Sequence, residues 1–236
     1  ELERQRPEPT FYPAGLETTA NMIAYWAENQ LFRPMSLYVS GRNLDVLPDN
    51  LQADRSRMRG LPEPSPETVR RAAKRSAPAV RVQIDWVEAL FADGRDWAAG
   101  GAVTVADFAL YHALWFLTAR TDRLAFELED RHRIQAWMAR VADFGHGTRQ
   151  EMKSQAALEV AARAKLTDGY QYDAFEEDPS LGAAVQVRAD DYGRDPVKGE
   201  LVELTSAKIG VRRRDAVLGD VVVHFPRLGY DLRAIQ

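Results

Sequence analysis

The stock of side chains able to bind metal or attack a substrate is small: four histidines and no cysteine among 236 residues. A helical zinc site needs ligands at i, i+4 with a carboxylate nearby, and His112, His132, His146 and His224 do not have that spacing, so no metal is expected. The absence of cysteine excludes a thiol nucleophile, a disulfide framework and a cysteinyl metal site. Asp190-Asp191 with Asp195 is too short and wrongly spaced for a calcium loop and reads as turn chemistry. Neither a Gly-x-Ser-x-Gly elbow nor a phosphate-binding loop is present. Arg212-Arg213-Arg214 raises the question of nucleic acid, but the segment from Thr167 to the end of the chain is net acidic, so the arginines read as a solvated strand face or edge. Arg70, Arg71, Lys74 and Arg75 form a second basic group, which reads as a solvated helix face or as a site for an anion or an acidic substrate.

The most strongly patterned element is Val103 to Leu117. Thr104 and Asp107, three residues apart, form a capping box in its carboxylate form. Val103 before the cap and Phe108 after it are placed for a hydrophobic staple. The residues that follow are almost all apolar, which predicts a central helix buried on most sides. Asp107 is therefore read as a structural group rather than an acid catalyst, and loss of a cap costs on the order of 1 kcal/mol.

The other elements must position this helix. The length favours two units over one, and the formal charge of -4 argues against a chain built for nucleic acid or an anionic membrane. No apolar run is long enough to cross a bilayer, and the basic start lacks a signal-peptide core. The chain does not begin with Met, which suggests that a preceding segment was removed. Apolar spacing predicts a helix from Glu17 to about Phe32, capped by Thr18 or Thr19 and bent or ended at Arg33-Pro34. Residues 44–66 lose the pattern and read as a lid, a disordered loop or a loop with a short helix. Ser65 caps a helix with Pro66 in its first turn, running to Gly94. Another starts at Asp130 or His132 and carries Ile134, Trp137, Met138, Val141 and Phe144 on one face. Thr148 and Glu151 suggest a second capping box, opening a helix to about Lys165. Five or six helices with short connections make a bundle. From Thr167 β-branched residues dominate, and five short strands separated by Gly, Asp and Pro turns predict a small SH3-like β barrel.

Thr104-Val105-Ala106-Asp107 followed by an aromatic run ending Trp115-Phe116-Leu117, with Gly94 and Gly100-Gly101 before it and Ile134 to Val141 after it, resembles the helical C-terminal domain of glutathione transferases. Glu1 to Gln5 with Pro7, Pro9 and Tyr12-Pro13 resembles the end of a thioredoxin-like domain and its linker. Together with Phe144-Gly145-His146-Gly147, Asp191-Tyr192-Gly193 and Val223-His224-Phe225-Pro226-Arg227, the chain is similar to a bacterial subgroup of these proteins that carries an extra β domain. The resemblance implies an α+β multidomain organisation: a linker or tail over 1–15, a helical domain over 16–166, a linker over 167–180 and a β barrel over 181–236. It implies glutathione as co-substrate, held mainly by a thioredoxin-like domain that this chain is expected to lack, so no catalytic residue is assigned. It also implies cytoplasmic location, a homodimer as the usual assembly, and a hydrophobic electrophile as the small-molecule partner.

What this chain can offer such a reaction is an apolar wall. By position, Met22, Trp26 and Phe32 of the first helix, with Tyr111 and Trp115 of the central helix, are the candidates, each with core packing as its plainer role. Three readings remain: the electrophile-side part of a transferase-like protein, a non-catalytic platform for a protein partner of the bundle or β domain, and a weak nucleic-acid module.

Overall fold

The computed structural model describes residues 2–164 and 169–235. They fall into two compact units, one of residues 1–52 and 64–147 and the other of residues 53–63 and 148–236.

The first unit is helical. A short turn of helix, α1 (Leu2–Gln5), precedes α2 (Glu17–Trp26), which begins at Leu16 with no side-chain cap, so neither Thr18 nor Thr19 plays the expected role. The chain does not stop at Pro34. It passes through a π turn (Ala27–Leu31) into α3 (Phe32–Arg42). Pro34 has no N–H for the Gln30 carbonyl and its ring crowds that turn; the preceding turn widens instead, with Phe32 N–H bonded to the Ala27 carbonyl. The 44–66 stretch holds one short helix, α4 (Leu51–Met58), the third of the three readings open for it, and most of that helix belongs to the second unit. Helix α5 (Pro66–Leu90) begins as expected, with the Ser65 hydroxyl accepting from Thr68 N at 3.2 Å and Pro66 in the first turn. Gly94, at φ +83°, follows its end. Helix α6 (Val105–Trp115), a 3-10 turn (Asp122–Glu127) and α7 (His132–Ala142) complete the unit.

The capping box of α6 is formed, and it is more than a cap. Asp107 is fully buried. Its Oδ2 accepts from Thr104 N at 2.9 Å and from the Thr104 hydroxyl at 3.3 Å. Its Oδ1 accepts from Ala98 N at 2.8 Å and from Trp137 Nε1 at 2.9 Å. One carboxylate thus joins the start of α6, the loop before it and α7. Trp137 carries the connection onward by stacking on Phe91 just beyond α5, with ring centroids 5.2 Å apart. Phe108, half of the expected staple, packs its ring against Phe11 and Phe144.

A second buried network ties α3 to the 3-10 turn. The Tyr38 hydroxyl donates to Glu127 Oε1 at 2.6 Å, and Arg81 of α5 grips both Glu127 oxygens through Nε at 3.1 and 3.0 Å. Burial, the hydrogen bond to Glu127 and then that residue's charge raise the Tyr38 phenol above its ordinary value of 10.0.

In the second unit, the expected capping box at Thr148 and Glu151 does not open a helix: α8 is Ser154–Arg163, capped at Lys153 without a side-chain bond. Every residue of α8 is exposed, so no tertiary packing holds the helix back at Thr148. The expected end of that helix near Lys165 and the change of pattern at Thr167 lie outside the described residues. Five antiparallel strands follow: β1 (Ala184–Ala189), β2 (Val197–Leu204), β3 (Lys208–Asp215), β4 (Gly219–Pro226) and β5 (Tyr230–Ala234). Their order is β4-β3-β2-β1-β5, so β4 and β5 are edges and the expected closed barrel is an open sheet. Closure requires the edges to pair; β4 pairs only with β3 and ends at Pro226, which has no N–H to extend a ladder. Val185, Val187, Leu201, Leu204, Ile209 and Val211 form the core beneath. In the same unit, Gly193 N donates to the Met58 carbonyl at 2.9 Å, and Arg55 and Arg59 lie over the Tyr192 ring.

Two substitutions test these networks. Asp107→Ala removes the acceptor of three buried N–H groups, and is expected to lower unfolding free energy by about 3 kcal/mol or more, well beyond a lost cap; a urea midpoint shifted by a cap-sized amount only would refute the hub. For Tyr38 the raised phenol pKa means that its contribution is present below pH 10 and lost as pH rises through the folded value. The stability gap between the native protein and Tyr38→Phe, followed by urea midpoints, should therefore close in alkali; a gap independent of pH would contradict it.

Candidate functional site

Four rings, Phe32, His112, Trp115 and Phe116, form a partly exposed aromatic surface of the helical unit. Phe32 is the first residue after the π turn, which packs against α6. Its ring stacks on His112 at 4.9 Å and lies 5.3 Å from Phe116. His112 in turn stacks with Trp115 at 6.5 Å. The spacing explains the grouping: His112 and Trp115 on α6 and Phe116 at its C-cap, still helical in conformation, are i, i+3 and i+4 and share a face. Trp115 remains 44% exposed, so the shelf has an open side.

The five residues expected to line an apolar wall do not converge on one cavity. Phe32 and Trp115 meet through His112, as above. Trp26 pairs with Trp86 at 6.3 Å. Tyr111 packs edge-on to Trp137 at 6.4 Å, on the Asp107 side of α6. Met22 is 69% exposed on α2. His112 and Phe116 were not among the expected residues, although their helical spacing from Trp115 is the signal that finds them.

Chemically, the shelf offers flat π faces and a single titratable group, the His112 imidazole. It contains no nucleophile and no carboxylate. Among the described residues, no group of three or more His, Asp or Glu side chains is placed to hold a metal ion, and no helix is long and apolar enough to cross a membrane.

The β unit holds one further charged cluster. Glu203 is buried, takes the Lys208 ammonium at 2.8 Å on Oε1 and lies 3.1 Å from His224 Nδ1 through Oε2. The register shift between Leu201 and Glu203 brings that side chain in, and Gly210 makes room for it. A Cβ on Gly210 would stand 2.7 Å from Glu203 Cβ. The pairing joins three strands, so no short-range spacing announces it. The arginine run splits in the same way: Arg212 faces Glu200 at 3.7 Å and Arg214 faces Asp220 at 3.5 Å.

Comparison with known proteins bears on this geometry. Residues 52–143 match the family model "Glutathione S-transferase, C-terminal domain". No curated protein matches the sequence. Among solved structures, a GST-like protein from Pseudomonas syringae is 28% identical, with a TM-score of 0.74, over 99% of this chain and 74% of that one. A glutathione S-transferase from Rhodospirillum rubrum F11 (21% identity, 60% of this chain and 56% of that one) has a TM-score of 0.43. Another from Xanthobacter autotrophicus Py2 (19% identity, 65% and 63%) has a TM-score of 0.37. Neither of the last two carries a structural argument. Residues 52–143 are thus similar to the glutathione S-transferase C-terminal domain, and nearly the whole chain is similar to the GST-like protein from Pseudomonas syringae.

Proposed function

We propose that this chain supplies the electrophile-side wall of a cytoplasmic, homodimeric glutathione transferase-like protein. In such a reaction the glutathione thiolate attacks an electrophilic carbon and a leaving group departs with the displaced electron pair. Glutathione binding and thiolate stabilisation fall to a thioredoxin-like domain, and no residue of this chain is assigned to either. The role left to it is to hold an apolar, electron-poor body by stacking. The aromatic shelf of Phe32, His112, Trp115 and Phe116 is the observation that carries the reading. Of the sequence candidates, Phe32 and Trp115 belong to it directly; Tyr111 on α6 and Trp26 on α2 have other ring partners, and Met22 is exposed on α2.

A second reading, a non-catalytic platform for a protein partner, draws on a different surface. Met22, Tyr25 and Trp86 are 69%, 46% and 59% exposed around Trp26, and an apolar face of that kind is a common mark of association.

Calorimetric titration of the chain with 1,3-dinitrobenzene separates the two. Saturable binding is expected, weakened roughly twofold to tenfold by Phe32→Ala or Trp115→Ala, the range of a single aromatic contact. Affinity unchanged in both variants would remove the shelf from the proposal. With glutathione and 1-chloro-2,4-dinitrobenzene the chain alone is expected to add nothing to the uncatalysed rate, and measurable turnover would contradict the assignment of catalysis elsewhere.

A further inference from the structure

Helices α3 and α5 enclose an open groove of about 690 Å³ that the aromatic shelf does not share. Its origin is close packing. A Cβ on Gly41 would stand 2.4 Å from Ala73 Cβ and 2.9 Å from the Val69 carbonyl oxygen, so the helices touch at that point. The small side chains of Ala73 and Ala77, with the Tyr38 ring and Pro78, leave an apolar floor.

The rim is cationic, formed by Arg42, Arg70, Lys74 and Arg81. Of these four, Arg81 is in an ion pair, with Glu127. It holds both oxygens of Glu127, which also accepts the Tyr38 hydroxyl, so that carboxylate is committed. Asp45, whose carboxyl also feels Arg70, is taken by Arg123, whose Nη2 donates to Oδ2 at 2.8 Å. Arg42, Arg70 and Lys74 are exposed and enter no ion pair among the described residues. On the same helix Arg71 is paired with Glu67 at 2.7 Å and does not line the groove, and neither does Arg75. The basic group legible in the sequence thus divides, with Arg70 and Lys74 turned to a concave, apolar-floored site together with Arg42 from the facing helix. Three cations without an ion-pair partner among the described residues, around one concavity, concentrate a positive potential that a multiply charged anion relieves, and guanidinium forks suit planar or tetrahedral oxyanions.

We propose that this groove binds a small organic dianion, a phosphate monoester or a dicarboxylate on an apolar body, with Arg42, Arg70 and Lys74 on the charged head and the Ala73, Ala77 and Pro78 floor beneath the body. The test is calorimetric titration with phenyl phosphate and phthalate, with inorganic phosphate and phenol as controls. At least one organic dianion is expected to saturate, more tightly than inorganic phosphate, with phenol showing no binding and affinity falling as salt is raised. The paired substitution Arg70→Gln with Lys74→Gln should weaken binding about tenfold or more, whereas Arg71→Gln with Arg75→Gln, an equal change of net charge off the groove, should leave it intact. All four positions lie on the exposed face of α5, so unchanged melting points will show that the variants are folded. Failure of both dianions to saturate, equal loss in the two double variants, or inorganic phosphate binding as tightly as the organic dianions would overturn the proposal.

Discussion

The Asp107 carboxylate accepts hydrogen bonds from Thr104 N, Ala98 N and Trp137 Nε1 inside an apolar core, and the placement of α6 depends on that arrangement. A carboxylate without partners in such surroundings is costly; one whose lone pairs are filled by fixed donors is tolerated and enforces a single geometry. Its donors come from nine residues before it, three before it and thirty after it. All of them are satisfied together in this packing of α6 and α7. The orientation of α6 about its own axis follows, and with it the side on which His112, Trp115 and Phe116 emerge.

The same device recurs in the other unit in a different chemical setting. Glu203 is buried on a bulged strand and is met by Lys208 and His224 from neighbouring strands, with Gly210 leaving the space. Glu127 is a third instance, held by Tyr38 and Arg81. In each case a buried acid is met by polar groups from more than one element, which spends desolvation free energy on specificity of packing.

Features set by neighbouring residues were legible in the sequence. Thr104 with Asp107, Ser65 with Pro66, the α7 face of Ile134, Trp137 and Val141, and the five strands all follow from local spacing. What was not legible depends on partners that periodicity does not see. Pro34 announces an interruption, but whether the helix ends or widens into a π turn is decided by packing against α6. The Thr148–Glu151 pair has the residues of a capping box and no buried helix to cap. A short-strand pattern is the same for an open sheet and a barrel, because closure depends on whether β4 and β5 meet. The shelf was half legible: Phe32 and Trp115 were expected, but their joining through His112 needs the relative rotation of two helices. Asp107 was recognised as a cap, while its bonds to Ala98 and Trp137 come from tertiary structure.

Native-state hydrogen exchange at the Ala98 amide and the Trp137 indole tests the central role of Asp107 most directly, since both hydrogens end on the same carboxylate oxygen. If that carboxylate holds the loop, α6 and α7 as one cooperative unit, both hydrogens will exchange only through a shared opening with the same free energy and the same denaturant dependence. An Ala98 amide that exchanges through a small, denaturant-independent opening while the Trp137 indole stays protected would show that the loop is not held by Asp107, and the account would fail.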